Sequence, residues 1–144
     1  MDIVKYNEES FLKLFVSYMV TKNQLFIPDK KELQKELVKF YDDPVCEILF
    51  RNIEKIDGIN YKYVNLSNAF ESAYFSGILR VFRDSNEDKN MINITPKQAI
   101  EIYMQYNYEQ LVAMDKICRE LIKPKEDEKI INLKNNYGFN YYKC

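Results

Sequence analysis

The chain has no histidine and no tryptophan, and its 144 residues include only three glycines, four prolines and three cysteines. Each shortage removes a class of chemistry. Without histidine there is no Ser-His or Cys-His nucleophile pair, no imidazole general base and no His-containing metal site. The three glycines, Gly58, Gly77 and Gly138, are far apart, so no glycine-rich loop between a strand and a helix cradles a phosphate. Cys46, Cys118 and Cys144 are odd in number and contain no close pair, which suits a reducing compartment and excludes both a disulfide framework and a thiolate zinc site. Cys46 and Cys118 read as small core residues. There is no basic excess either: 21 Lys and Arg against 22 Asp and Glu leave a net charge of -1, where a domain relying on phosphate contacts carries a marked surplus of cations.

Long apolar runs are missing as well. The stretch 11–20 is interrupted by Lys13 and Ser17 and is too short to span a bilayer, and the acidic start Asp2, Glu8, Glu9 is unlike a secretory leader. The expectation is a cytoplasmic protein with no membrane partner, no metal and no cofactor. The heavy use of Asn, Lys, Ile and Tyr is what translation of an AT-rich coding sequence produces, and points to a low-GC bacterium or its phage.

What is present is a folded-protein composition, 47% hydrophobic and 30% charged, at a length that fits one domain with its own core. Apolar spacing predicts a helix over residues 8–22, with Phe11, Phe15, Tyr18 and Met19 on its core face. The triplet 25–27 ends at Pro28 and reads as a short strand or buried turn, and Asp29 caps a second helix over 30–41. Asp43 and Pro44 start a third helix to about residue 56, with Val45, Ile48, Leu49 and Ile53 inward. Asp57-Gly58 is a turn into a strand over 59–64, with Ile59, Tyr61 and Tyr63 on one side.

Residues 68–82 read as the helix around which the rest is organised. Asn68 and Glu71 form its capping box, and Gly77 marks a close backbone approach. Residues 84–90, without an apolar side chain, read as a solvated loop, and 91–94 as a strand. Thr95, Pro96 and Gln98 open a last helix to residue 122, whose main stripe is Ile100, Met104, Tyr108, Leu111, Met114, Cys118 and Leu121, and which Pro124 ends. The fold class is therefore mainly α, α+β at most. It is a single compact helical domain over 1–123 with about five helices and two or three short strands, and a tail, 124–144, docked on that core or on a partner.

Three acidic clusters, Asp42-Asp43, Asp84 with Glu87-Asp88, and Glu126-Asp127-Glu128, have the residue type for carboxylate catalysis but sit at a cap, in a loop and at the start of the tail. No enzyme is expected. The order helix, strand, helix, helix, strand, strand is that of a winged helix-turn-helix, with the β-hairpin as its wing. In that reading the 44–56 helix faces DNA through Arg51 and Lys55, and Lys62 lies on the wing. Glu47 and Glu54 on the same helix neutralise that face, which ranks DNA second.

The remaining signal is tyrosine, twelve of them. Tyrosine offers large contact area at low entropic cost and is enriched in protein interfaces. The leading expectation is a non-enzymatic protein that binds another protein or a second copy of itself, as a small regulator or inhibitor of the phage or toxin–antitoxin kind. Its interface is placed on Tyr103, Tyr106, Tyr137, Phe139, Tyr141 and Tyr142.

Overall fold

A computed structural model describes residues 7–137, with side chains described for 7–122. Five α-helices and five strands in two small sheets make an α+β fold. The first helix, α1 (Glu8–Thr21), is its centre, packing against three of the other four helices. Its N-terminus is fixed by Asn7, whose Oδ1 accepts the Ser10 N–H at 3.0 Å, and Glu8 and Glu9 place negative charge on the electropositive first turn. Phe11, Leu12, Leu14, Phe15, Val16 and Met19 are all buried. Such burial of a large apolar side chain contributes about 1.5–3 kcal/mol, so α1 carries more of the core than any segment of similar length. Even Ser17 is buried, its hydroxyl donating to the Lys13 carbonyl at 2.8 Å.

The end of α1 uses a residue not expected there. Asn23 adopts φ 62, and the Gln24 and Asn23 amides donate back to the Met19 and Val20 carbonyls. This is the left-handed termination usually built on glycine. It turns the chain into strand β1 (Phe26–Ile27), as expected. Helix α2 (Lys30–Leu37) follows, capped by Asp29, whose Oδ1 accepts the Glu32 N–H at 2.8 Å, and tightens into a 3-10 turn, Val38–Phe40.

The helix expected over 44–56 does not form. Asp43 caps as expected, accepting from the Val45 and Cys46 amides, but the chain continues in i to i+3 turns, including the 3-10 turn Glu47–Leu49. Those turns bury Leu49 and Ile53 as expected, but with Cys46 and Phe50 in place of Val45 and Ile48: Val45 is exposed and Ile48 half-buried. The segment is cut short because Lys55 is already committed to a sheet: β2 (Lys55–Asp57) pairs antiparallel with β3 (Lys62–Val64) in the register Lys55↔Val64. Between them the Gly58 amide donates to the Tyr61 carbonyl at 2.8 Å; a Cβ on Gly58 would lie 2.7 Å from that oxygen, which requires glycine. Residues 59–61, expected as strand, belong to this turn, and Ile59 is fully exposed.

The segment read as one organising helix over 68–82 is two elements. Helix α3 is Ser67–Ser76, and its start is served by the Asn65 side chain, which accepts the Ser67 N–H at 3.0 Å, in place of an Asn68 cap. Gly77 has φ 84 and ends the helix, with the Ile78 amide on the Ala73 carbonyl. No atom lies within 4 Å of where its Cβ would be, so its role is backbone conformation and not the close approach expected from sequence. Strand β4 (Leu79–Asp84) then pairs with β5 (Glu87–Ile92) through a two-residue turn with Ser85 at φ 56. The supposed 84–90 loop is thus the tip of this hairpin. Both faces of the tip meet water, which removes the apolar alternation by which a strand is recognised. β1 joins β5 on its other side, giving the order β1-β5-β4.

The last predicted helix is likewise split. Helix α4 (Pro96–Tyr103) opens with the expected Thr95–Gln98 capping box. A second box, Asn107 with Gln110 at 2.8 and 3.0 Å, starts α5 (Tyr108–Tyr137). Helix α5 passes through Pro124 instead of ending there, since a proline removes one intrahelical bond and leaves those on either side. Among its described side chains, Ala113, Met114, Ile117, Cys118 and Ile122 are buried. Met104 and Tyr108 of the expected stripe lie on the surface, and Ile100 is also exposed.

Candidate interaction surface

The Asp43 turn sets the geometry of one surface. While its Oδ1 holds the Val45 and Cys46 amides, its Oδ2 lies 2.5 Å from the Lys116 Nζ of α5. The ammonium hydrogen bond, followed by the Val45 amide, holds the Asp43 carboxyl below its ordinary range, and the same bond raises Lys116. The Cys46 Sγ lies 3.8 Å from the Ala113 carbonyl, and burial pushes its thiol up to about 11. The turn is thereby fixed against the helix, and Pro44, Val45 and Ile48 come beside Tyr108 and Val112. Together they line an open groove of about 240 Å³ with Arg51 and Glu109 at its rim. Val45 is 42% exposed, Val112 39% and Tyr108 80%. The floor offers methyl groups and one aromatic ring, and the rim one charge of each sign, Arg51 and Glu109.

Of the residues expected to meet a partner, Tyr103 packs on Tyr18 with ring centroids 5.8 Å apart. Tyr106 is turned inward, half-buried against the core, its hydroxyl donating to the Ser10 carbonyl at 3.0 Å. Tyr137 is the last residue of α5, and Phe139, Tyr141 and Tyr142 lie outside the described residues. The three cations expected to meet DNA are not gathered into a row. Arg51 Nε is 3.4 Å from Glu47, Lys62 Nζ is 3.9 Å from Asp57, and Lys55 sits 5.0 Å from the centroid of the Tyr41 ring, with its Nζ 3.4 Å from the Phe50 carbonyl.

Of the groove residues, Val45 and Tyr108 are exposed where the sequence places them in the core, Val112 is exposed without a sequence signal, and Ile48 is half-buried against the core. One sequence signal separates Tyr108 from the core stripe: Asn107-x-x-Gln110 is a helix start, and a start there puts Tyr108 in a first turn at the surface.

A larger cleft of about 450 Å³ lies between the end of α1, β1 and the end of the described part of α5, with Asn23, Gln24, Asp29, Glu32 and Lys89 among its walls. Two of its ionic groups are committed elsewhere: Asp29 caps α2, and Lys89 bridges to Asp84 at 3.4 Å and lies over the Phe26 ring. Among the described residues no group of three or more His, Cys, Asp or Glu is placed to hold a metal ion, and no helix is long and apolar enough to cross a membrane. Comparison with protein-family models, curated proteins and solved structures gives no match to this chain.

Proposed function

We propose that this chain acts by binding another protein and not by catalysis. The observation that carries the reading is the open groove lined by Val45, Ile48, Tyr108 and Val112, which gathers the exposed apolar side chains of Val45, Tyr108 and Val112 into one concave patch. Covering such surface is favourable by about 25 cal/mol per Å², and an apolar patch rimmed by charges is what protein contact sites present. Arg51 and Glu109 at the rim supply orientation. A small regulator or inhibitor, of the phage or toxin–antitoxin kind, is the class that such an apolar surface suits. Tyr137, Phe139, Tyr141 and Tyr142 belong to the same reading as a second contact.

Affinity capture with the full chain, with and without nuclease, tests it. A protein retained after nuclease by the natural chain and lost with Val45→Asp/Val112→Asp supports the groove. Equal retention by a double variant that keeps its circular dichroism removes it. Truncation after Lys123 tests the C-terminal contact in the same assay.

A second reading is favoured by one feature of the fold. With 38–66 set aside as an insertion, the order α1, β1, α2, α3, β4, β5 and the sheet order β1-β5-β4 are those of a winged helix, with α3 as the helix that would face DNA and β4–β5 as the wing. The charges argue against DNA: Glu71 is the single charged residue of α3, and Arg80, Arg83 and Lys89 on the hairpin are matched by Asp84, Glu87 and Asp88. Salt-dependent binding to duplex DNA, measured by fluorescence anisotropy, would establish this reading over the first.

A further inference from the structure

The outer edge of β4 offers a surface apart from the groove beside α5. The hairpin turn has two residues, so its closing pair, Asp84↔Glu87, is hydrogen-bonded, and bonded pairs recur at every second residue, Phe82↔Lys89 and Arg80↔Met91. The Asn93 amide on the Ile78 carbonyl at 2.8 Å continues the same alternation. The amides and carbonyls of Leu79, Val81 and Arg83 therefore point away from β5. Among the described residues no strand lies beyond β4 and no group bonds them. An edge of this kind invites another strand, and its side chains state which one.

We propose that β4 pairs with β4 of a second copy, antiparallel about a two-fold axis through Phe82. The alternation decides the registers allowed: outward residues must oppose outward residues, which excludes the alignment that sets Arg80 against Arg83. An axis through Val81 places Arg80 opposite Phe82 and leaves Asp84 opposite Ile78, so its charges go unused. The axis through Phe82 opposes Arg80 to Asp84 twice, once on each side, while Val81 and Arg83 exchange their backbone bonds.

Arg80 is exposed and has no ion pair among the described residues, so this register supplies the acid it lacks. Phe82, 40% exposed, meets its own copy in the close non-bonded pair. Since Phe82 already contacts Phe26 at 5.8 Å, the joined sheets carry one aromatic row across the axis. The interface is isologous, as a closed dimer requires.

Sedimentation of the full-length chain over a dilution series reads the result. The natural chain forms a dimer that dissociates on dilution. Val81→Pro removes an outward amide and no β4–β5 bond, and abolishes the dimer. Arg80→Asp opposes two carboxylates at each end and weakens association at least tenfold, and Arg80→Asp/Asp84→Arg restores it. A chain monomeric at about 100 μM, where even a Kd of ~10 μM gives mostly dimer, overturns the proposal. So does a dimer unchanged in Val81→Pro, or a double exchange that restores nothing.

Hydrogen exchange on the unmodified chain settles the case in which a variant does not fold. In the dimer the Val81 and Arg83 amides are protected at high concentration and exchange freely on dilution. Protection independent of concentration, or absent throughout, refutes the pairing, and an edge occupied by a captured foreign peptide does the same.

Discussion

Replacing Tyr41 by Phe tests how the 38–66 segment is held to the rest of the molecule. The Tyr41 hydroxyl accepts the Val64 N–H at 2.8 Å, and Val64 is 1% exposed. In the β2–β3 pair the bonded positions are those in phase with Gly58 and Tyr61, so the Val64 amide points away from β2 and has the phenol as its acceptor. The substitution keeps the ring, its edge-on contact with Phe50 at 4.9 Å and the Lys55 ammonium over its face. What it removes is one acceptor, leaving a buried donor unsatisfied, at a cost of about 1–3 kcal/mol.

For a chain of this size that lowers Tm by roughly 3–12 °C. Chemical denaturation should show a lower midpoint with an unchanged slope, since the surface exposed on unfolding is the same. Native-state hydrogen exchange should show the Val64 amide accelerated. A Tyr41→Phe variant within about 0.5 kcal/mol of the natural chain, with Val64 still protected, would refute the assignment of this bond as the tie.

Gly77→Ala places a Cβ in open space but at φ 84, so it should destabilise by about 1–2 kcal/mol from backbone conformation alone, and Gly77→Asn by less; equal stability of all three in urea melts would contradict a left-handed helix end. Cys46, raised to about 11, and Cys118, raised further by complete burial, should resist alkylation at pH 8 and react only on unfolding, as peptide mass spectrometry would record. The Asp43 carboxyl is held below its ordinary value of 3.8, so as the pH falls the unfolded chain takes up this proton first. The stabilisation is complete above that value and lost beneath it. Asp43→Asn should flatten the acid side of the stability–pH curve, and a parallel curve would sink the assignment.

The parts of the fold legible in the sequence are those set by short-range chemistry. Asp29, Asp43 and the Thr95–Gln98 box each bond the amides their residue types predict, and the apolar spacing of 8–22 gives α1 almost to the residue. The errors share a physical cause. In 68–82 the apolar residues are dense enough to satisfy both a 3.6 and a 2.0 period, and the choice between helix and strand rests on Gly77, which is costly inside a helix but favourable just past its end. In 95–122 the apolar phase resumes after the break, so periodicity alone joins two helices that the Asn107–Gln110 box divides.

The tyrosines mislead for a related reason. A phenol is as apt to tie a loop from inside, as Tyr41 and Tyr106 do, as to face a partner, and composition does not distinguish the two. Conversely, the exposed groove residues Val45 and Val112 carry no polar mark by which a sequence would release them from the core.

The pattern of charge pairing limits what the surface can do. Arg51 with Glu47, Lys62 with Asp57, Arg83 with Asp88 and Lys89 with Asp84 are all pairs between partly or largely exposed side chains. Exposed pairs contribute about 0–1 kcal/mol each, so stability does not explain them well. Their larger consequence is electrostatic: these four cations are each countered by a carboxylate within 4 Å, which weakens any basic field they could build toward a polyanion. What such a surface retains for recognition is short-range: apolar area in the groove beside α5, and directed backbone bonds along β4. Arg80 stands outside this cancellation, and it lies on β4, an edge strand of the three-stranded sheet. Its free charge therefore discriminates between partners for that edge, favouring a strand that brings a carboxylate to the opposing position, which β4 itself does through Asp84.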